Sequence, residues 1–195
     1  MVSKKTGLFF GSFNPIHNGH LMIANHLVEF TDLKQIWFVV SPQNPLKEKN
    51  SLAPDYDRLE MVRRAVDDDP RFSVSDIEMH LPRPSYTIHT LTYLSEKYPE
   101  RDFVLIVGGD NLQSFHKWKN PEEILRQYQL YVYARAGFEG GEYASHPSVK
   151  VVAAPLIEVS SSYIRDALRK GHDVRYFLHP EVYAYIMKEG LYFRK

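Results

Sequence analysis

Between Phe9 and Leu21 the chain reads FFGSFNPIHNGHL. Two imidazoles, His17 and His20, stand three positions apart, a spacing that turns both toward one side of a helix. The apolar GLFF just upstream reads as a buried strand, so the histidines fall where a strand gives way to a helix. Gly11 permits a tight turn there, Pro15 stiffens the loop, and Asn18 and Gly19 lie near the helix start. Free amides and the positive end of the helix dipole gather at such a start and make an anion site. Two imidazoles aimed at it suit a phosphate chain: they donate hydrogen bonds to phosphate oxygens and can shield charge on a pentavalent phosphorus. A His-x-x-His metal site and a purely structural pair are the alternatives. No nearby carboxylate or cysteine completes a metal set. No Gly-Lys-Ser/Thr follows, so this is not a Walker loop, and Gly-x-Gly-x-x-Gly is absent too.

A second anion-binding pattern lies far along the chain, in EVSSSYIRDAL. Ser160, Ser161 and Ser162 occupy a predicted helix start, and Arg165 follows one turn in. Hydroxyls, amides and a guanidinium can converge there on one anion; the plainer reading is ordinary capping with a surface arginine. Gly108 and Asp110 close the most apolar strand, DFVLIVGGD. Asp110 suits either a ribose hydroxyl or the cap of a following helix. Arg135 suits a phosphate or an exposed salt bridge. The run Asp67, Asp68 and Asp69 reads as a solvated helix end.

These residues need elements to hold them. Short apolar runs alternate with amphipathic stretches. Strands are expected at GLFFG, QIWFVV, FSVSDIEM, DFVLIVGGD, LYVYAR and VKVVAA. Helices are expected over HLMIANHLVEF, residues 55–66, YTIHTLTYLSEKY, PEEIL, SSSYIRDALRKG and about 180–188. Such alternation predicts an α/β fold, Rossmann-like and doubly wound, with a mainly parallel sheet covered by helices on both faces. Sheets of this kind bind ligands at the carboxyl ends of their strands, where both anion motifs and GGD fall. Residues 134–148 have loop composition, and 1–195 reads as a single domain with a small helical flank over about 160–195.

Composition removes other classes. Hydrophobic residues make up 44% of the 195, ample for a core. Lys plus Arg and Asp plus Glu both number 24, which argues against holding nucleic acid by bulk charge. The chain has no cysteine, so disulfides, thiolate metal sites and cysteine nucleophiles are excluded. Its longest apolar runs, IWFVV and FVLIV, are far too short for a membrane span, and no signal-peptide core follows the N-terminal lysines. A cytoplasmic protein is the expectation. The tyrosines near the C-terminus suit a packed flank or a homo-oligomer face.

GSFNPIHNGH resembles the Gly-x-Phe-x-Pro-x-His-x-Gly-His signature of the nucleotidyltransferase superfamily, and SSSYIR resembles its Ser-Ser/Thr-x-x-Arg partner. PSYTIHTL, GGDNLQSFHKW and the Gly-Leu-Tyr ending are similar to the bacterial nicotinate mononucleotide adenylyltransferases, from Gly7 to about Tyr192. The resemblance implies that ATP and nicotinate mononucleotide give deamido-NAD and pyrophosphate by direct in-line attack. It implies that His17, His20 and Arg165 serve catalysis on the ATP phosphates. Gly11, Ser12, Phe13, Lys47, Gly108, Asp110, Ser161 and Ser162 would bind ATP. Tyr86, Thr87, Trp118 and Arg135 would bind the mononucleotide, with the Trp118 indole stacked on the pyridine ring. Without the resemblance, Trp118 reads equally as a partly buried surface anchor, and Ser85 and Thr87 as helix caps. Mg²⁺ is implied, held mostly by phosphates and water. The chain departs from the family pattern at His89, where aspartate is common, at Leu46, where histidine is common, and at Phe10, where glycine is common. The remaining readings are nicotinamide mononucleotide or phosphopantetheine as acceptor, a non-catalytic nucleotide-binding regulator, and a fragment related to tRNA synthetases.

Overall fold

Phe103, Leu105 and Val107 point to one face of a sheet and Val104 and Ile106 to the other, and both sets are buried. A strand apolar on both faces belongs in the middle of a covered parallel sheet, and the computed structural model places it there. The structure describes residues 4–42, 52–134 and 141–193. Lys47, Leu46 and Arg135 lie outside the described residues.

The strands are β1 (Lys4–Gly11), β2 (Gln35–Val40), β3 (Phe72–Ser75), β4 (Arg101–Gly108), β5 (Gln129–Tyr133) and β6 (Val149–Val152). All pair in parallel, in the order β3-β2-β1-β4-β5-β6. The helices are α1 (Asn18–Phe30), α2 (Asp55–Val66), α3 (Ile77–His80), α4 (Thr87–Lys97), α5 (Gly109–Gln113), α6 (Pro121–Gln127), α7 (Ser161–Arg169) and α8 (Pro180–Glu189). Ile23 and Leu27 of α1, Val62 of α2, Ile164 and Leu168 of α7 and Ile186 of α8 pack with Phe9 and Phe38 in one core. Leu91 of α4 and Ile124 of α6 pack with Leu8 and Leu105 in the other. The sheet is therefore doubly wound, and its strand order reverses between β1 and β4. The crevice at their carboxyl ends is the place where such sheets take ligands.

Four expected strands are shorter than their sequence pattern; LYVYAR stops at Tyr133 and VKVVAA at Val152, and the other two change element. FSVSDIEM was expected to be extended to Met79, yet β3 ends at Ser75 and α3 follows. Its only neighbour among the described residues, β2, pairs with it from Ile36 to Val39, so beyond Ser75 the backbone has no described ladder to join. The apolar Ile77 turns inward and Glu78 buries its carboxyl against the Thr90 hydroxyl, which donates to it at 2.9 Å. In DFVLIVGGD, β4 ends at Gly108, where its pairing with Tyr133 of β5 ends, and Asp110 lies in α5.

Candidate active site

The loop after β1 is built around one ring. A Cβ on Gly11 would lie 2.8 Å from Cζ of Phe13, so glycine there lets the Phe13 ring fold back over the strand end. Phe13 takes the left-handed backbone, φ 43, which is costly for a bulky residue. Burial of its ring offsets that cost: it lies edge-on to Phe9 at 5.9 Å and to Phe38 at 5.6 Å. The His20 imidazole rests on this aromatic platform, 5.2 Å from Phe13 and 6.0 Å from Phe9.

His17 is the N-cap of α1 and His20 its third residue. Their rings stack at 3.7 Å with 28° between planes. The His17 backbone N–H donates to Nδ1 of His20 at 3.3 Å. With Nδ1 accepting, a neutral His20 carries its proton on Nε2, which becomes a donor pointing away from the backbone. The glycine between them has a packing reason. A Cβ on Gly19 would stand 3.0 Å from Nδ1 of His17 and 3.1 Å from Cγ2 of Ile157. Asn18 opens α1 as expected, and its side-chain amide donates to the carbonyl of Tyr176 at 3.0 Å, tying α1 to the turn before α8.

Helix α7 docks on the same loop. Ser160 caps it, accepting from the Tyr163 N–H at 3.2 Å. Ser161 Oγ donates to the Pro15 carbonyl at 2.9 Å, and Arg165 Nη1 donates to the Asn14 carbonyl at 2.8 Å. The two anion motifs, about 145 positions apart, thus meet backbone to side chain. Arg165 Nε is buried without a hydrogen-bond partner among the described residues. Burial also draws its guanidinium below the ordinary value. A half-used cation in a desolvated place gains by meeting an anion. Ser162 is exposed, its hydroxyl 3.1 Å from that of Ser160.

Arg58 is a part of this site that the motifs did not point to. It is fully buried, and its guanidinium donates to the carbonyls of Ser12 (2.6 Å), Ser41 (2.7 Å), Pro42 (3.0 Å) and Ala53 (3.1 Å) and to Oδ1 of Asp55 (2.6 Å). One side chain thereby joins the carboxyl ends of β1 and β2 to the start of α2. A signal for it existed: Arg58 stands on the apolar stripe of α2 with Met61, Val62 and Ala65, where a charge needs partners.

Of the residues that the resemblance assigns to the mononucleotide, Trp118 and Tyr86 pack against the other core. Trp118 is half-buried with its ring 5.2 Å from Phe115, which meets Tyr143 edge-on at 5.4 Å. Tyr86 precedes α4 as its N-cap and Thr87 is the first helical residue. Neither Ser85 nor Thr87 caps the helix: the N-cap makes no side-chain bond, and Ser85 Oγ is buried without a partner among the described residues. The Lys119 ammonium lies 4.5 Å above the Tyr86 ring, so the segment after Trp118 closes onto the start of α4. A Cβ on Gly108 would stand 2.5 Å from Oδ1 of Asp110 and 3.1 Å from the Tyr133 hydroxyl. Asp110 thus folds back over β4 as the second residue of α5, whose N-cap is Gly108. Both halves lie on the carboxyl rim, one following β1 and the other at the starts of α4 and α5. Among the described residues no group of three or more His, Asp or Glu could hold a metal ion.

The cytidylyltransferase-like family profile matches residues 8–167. A protein of Cytophaga hutchinsonii named "Probable nicotinate-nucleotide adenylyltransferase" is 51% identical over 188 residues, 96% of this chain and 98% of its own length. One of the same name from Bacteroides fragilis is 51% identical, across 97% of this chain and 94% of its own length. Among solved structures, the Plasmodium falciparum nicotinic acid mononucleotide adenylyltransferase complexed with NaAD superposes with a TM-score of 0.82. That likeness covers 97% of each chain at 23% identity and speaks to the fold.

Proposed function

The chain belongs to the cytidylyltransferase-like family, among the nicotinate-nucleotide adenylyltransferases, and on that premise we propose that it transfers the adenylyl group of ATP to nicotinate mononucleotide, giving deamido-NAD and pyrophosphate. The observation that carries this reading is the seating of Ser161 and Arg165 on the loop that leads into His17 and His20. Two phosphate grips are held as one rigid unit, as a triphosphate needs.

A 5′-phosphate oxygen of the mononucleotide attacks the α-phosphorus in line. The bond from that phosphorus to the α,β-bridging oxygen breaks, and pyrophosphate leaves. The attacking phosphate is already ionised, so no residue has to act as a general base. Catalysis is then positioning and charge stabilisation. His20 Nε2–H and the His17 ring donate toward the α-phosphate, where charge builds. Arg165, Ser161 and Ser162 hold the β- and γ-phosphates, with Lys47 reaching them from outside the described residues. Gly11, Ser12 and Phe13 lie against the nucleotide, with Gly108 and Asp110 at its ribose. Trp118, Tyr86, Thr87 and Arg135 take the mononucleotide, the indole stacking on the pyridine. Mg²⁺ fits as a cation carried on phosphate oxygens and water, because the family chemistry needs charge neutralised and the described residues supply no carboxylate cage; it would neutralise the leaving pyrophosphate. We take 1–195 as one unit, since α7 and α8 share the first core. A cytoplasmic setting with small-molecule partners suits a chain of zero net charge in which no described helix is long and apolar enough to cross a membrane.

The test is pyrophosphate release with ATP, Mg²⁺ and each acceptor in turn. Nicotinate mononucleotide should be turned over faster than its amide. His20→Ala should lose at least about 100-fold in kcat while its melting temperature falls only by about 2–4 °C for the lost cap, and Trp118→Ala should raise KM for the mononucleotide more than for ATP. Absence of turnover with any mononucleotide would sink the enzyme reading, and equal turnover of acid and amide would sink the acid preference.

A further inference from the structure

The C-terminal Gly-Leu-Tyr has a conformation that its own surroundings do not require. Gly190 closes α8 in the left-handed backbone, φ 65, and the Leu191 N–H donates to the Ile186 carbonyl at 3.0 Å, a Schellman-type ending. That accounts for glycine and leucine. Tyr192 then adopts φ 69, an uncommon backbone for a bulky side chain. Its phenol shows why. The O–H reaches from the end of the chain to the loop after β1 and donates to Oδ1 of Asn14 at 2.8 Å.

Asn14 is buried, and the same Oδ1 accepts the Ala53 N–H at 3.0 Å. Its main-chain carbonyl accepts from Nη1 of Arg165 at 2.8 Å. Phenol, loop and guanidinium therefore form one chain of hydrogen bonds, with Asn14 at its centre. Burial pushes the Tyr192 phenol above its ordinary value, so the hydroxyl keeps its proton and stays a donor at working pH.

We propose that Tyr192 is a positioning residue for the phosphate site: by holding the Asn14 side chain it fixes the carbonyl that aims Arg165 at the triphosphate. This rests on the reading that Arg165 meets ATP. Asn14 lies in the stretch where the chain must be held to a fraction of an ångström, because small misplacements of a phosphate donor carry large rate penalties. The C-terminal residues thus act on the reaction through two side chains, without touching substrate.

The experiment is a double-mutant cycle read by ATP affinity. Wild type, Tyr192→Phe, Arg165→Lys and the double variant are titrated with an ATP analogue whose α,β-bridging oxygen is methylene, and their melting temperatures are recorded. Tyr192→Phe removes one oxygen and keeps the ring. It should weaken analogue binding about 5- to 10-fold, leave KM for the mononucleotide within about 2-fold, and lower the melting temperature by no more than about 4 °C. In the Arg165→Lys background the same change should cost less than about 2-fold, because the two act as one unit. Unchanged analogue affinity in Tyr192→Phe, or an equal loss in both backgrounds, overturns the proposal. Failure of the wild type to bind the analogue would overturn the ATP reading and this inference with it.

Discussion

Arg58→Met removes a guanidinium and keeps an unbranched stem of similar length. The fully buried guanidinium makes five hydrogen bonds, four to carbonyls and one to Asp55. Bonds to a charged donor contribute about 1.5–3 kcal/mol each, so a plain sum would exceed about 7 kcal/mol. Two effects reduce it. Removing a buried cation also removes its desolvation penalty, and Asp55 keeps a second partner, Arg83, at 3.0 Å. Loss of one partner from a buried charged pair costs about 3–5 kcal/mol, and that is the expected range here. For a chain of this size it corresponds to a fall of roughly 6–20 °C in melting temperature. Arg58→Lys retains the charge with fewer donors and should fall between. Because Ser12 and Ser41 lose their shared donor, KM for ATP should rise in both variants at temperatures where each is folded. Thermal denaturation paired with ATP-dependent initial rates reads both effects. Arg58→Met melting within about 3 °C of wild type would refute the burial argument. A destabilised variant with an unchanged KM for ATP would show that the clamp serves the core and not the site.

Gly19→Ala should separate stability from catalysis. A helical alanine gains about 1 kcal/mol over glycine, against about 1–3 kcal/mol of overpacking on His17 and Ile157. The melting temperature should therefore shift by only a few degrees, while displacement of the His17 ring cuts kcat about 10-fold or more; normal turnover would mean that the ring is free to yield. Glu78→Gln addresses pH. Burial raises the Glu78 carboxyl above its ordinary value, so the folded state holds the proton more tightly than the unfolded chain. Wild-type stability from this group is therefore fully present below the unfolded value and is lost as pH rises through the raised, folded one. Glutamine can still accept from Thr90 and carries no such penalty. The variant should gain stability relative to wild type as pH increases through that window, measured by urea midpoints; a constant difference at all pH values would mean that Glu78 is not desolvated.

The placement of the residues proposed to hold phosphate was legible locally. His17 and His20 sit at helical spacing just past a strand, and Ser160 and Arg165 open another helix, so residue type and periodicity placed all four. The alternation of apolar runs with amphipathic stretches likewise specified a covered parallel sheet. Periodicity works there because each long element must present its own apolar face. It fails for elements with less than two turns, such as α3 and α5, and for strands whose length is set by a neighbour. β3 stops where β2 stops pairing with it, and the apolar Ile77 and Met79 that follow are one residue out of phase with Phe72 and Val74. The Ser85 and Thr87 cap likewise did not form: Tyr86 takes the N-cap position, with the Lys119 ammonium over its ring.

What remained hidden was partnership. Arg58 stands on the apolar stripe of α2, which says that it needs partners, but nothing within its helix says that four carbonyls, from the segments after β1 and between β2 and α2, will surround it. Asn14 looks like a turn residue, yet Tyr192, 178 positions away, and Arg165, 151 positions away, both bond to it. Residue spacing along one helix is fixed by 1.5 Å of rise and 100° of turn, so the two imidazoles could be aligned from the sequence. Burial and hydrogen-bond satisfaction belong to the folded chain as a whole, and they decided which side chains hold those imidazoles and the arginine in place.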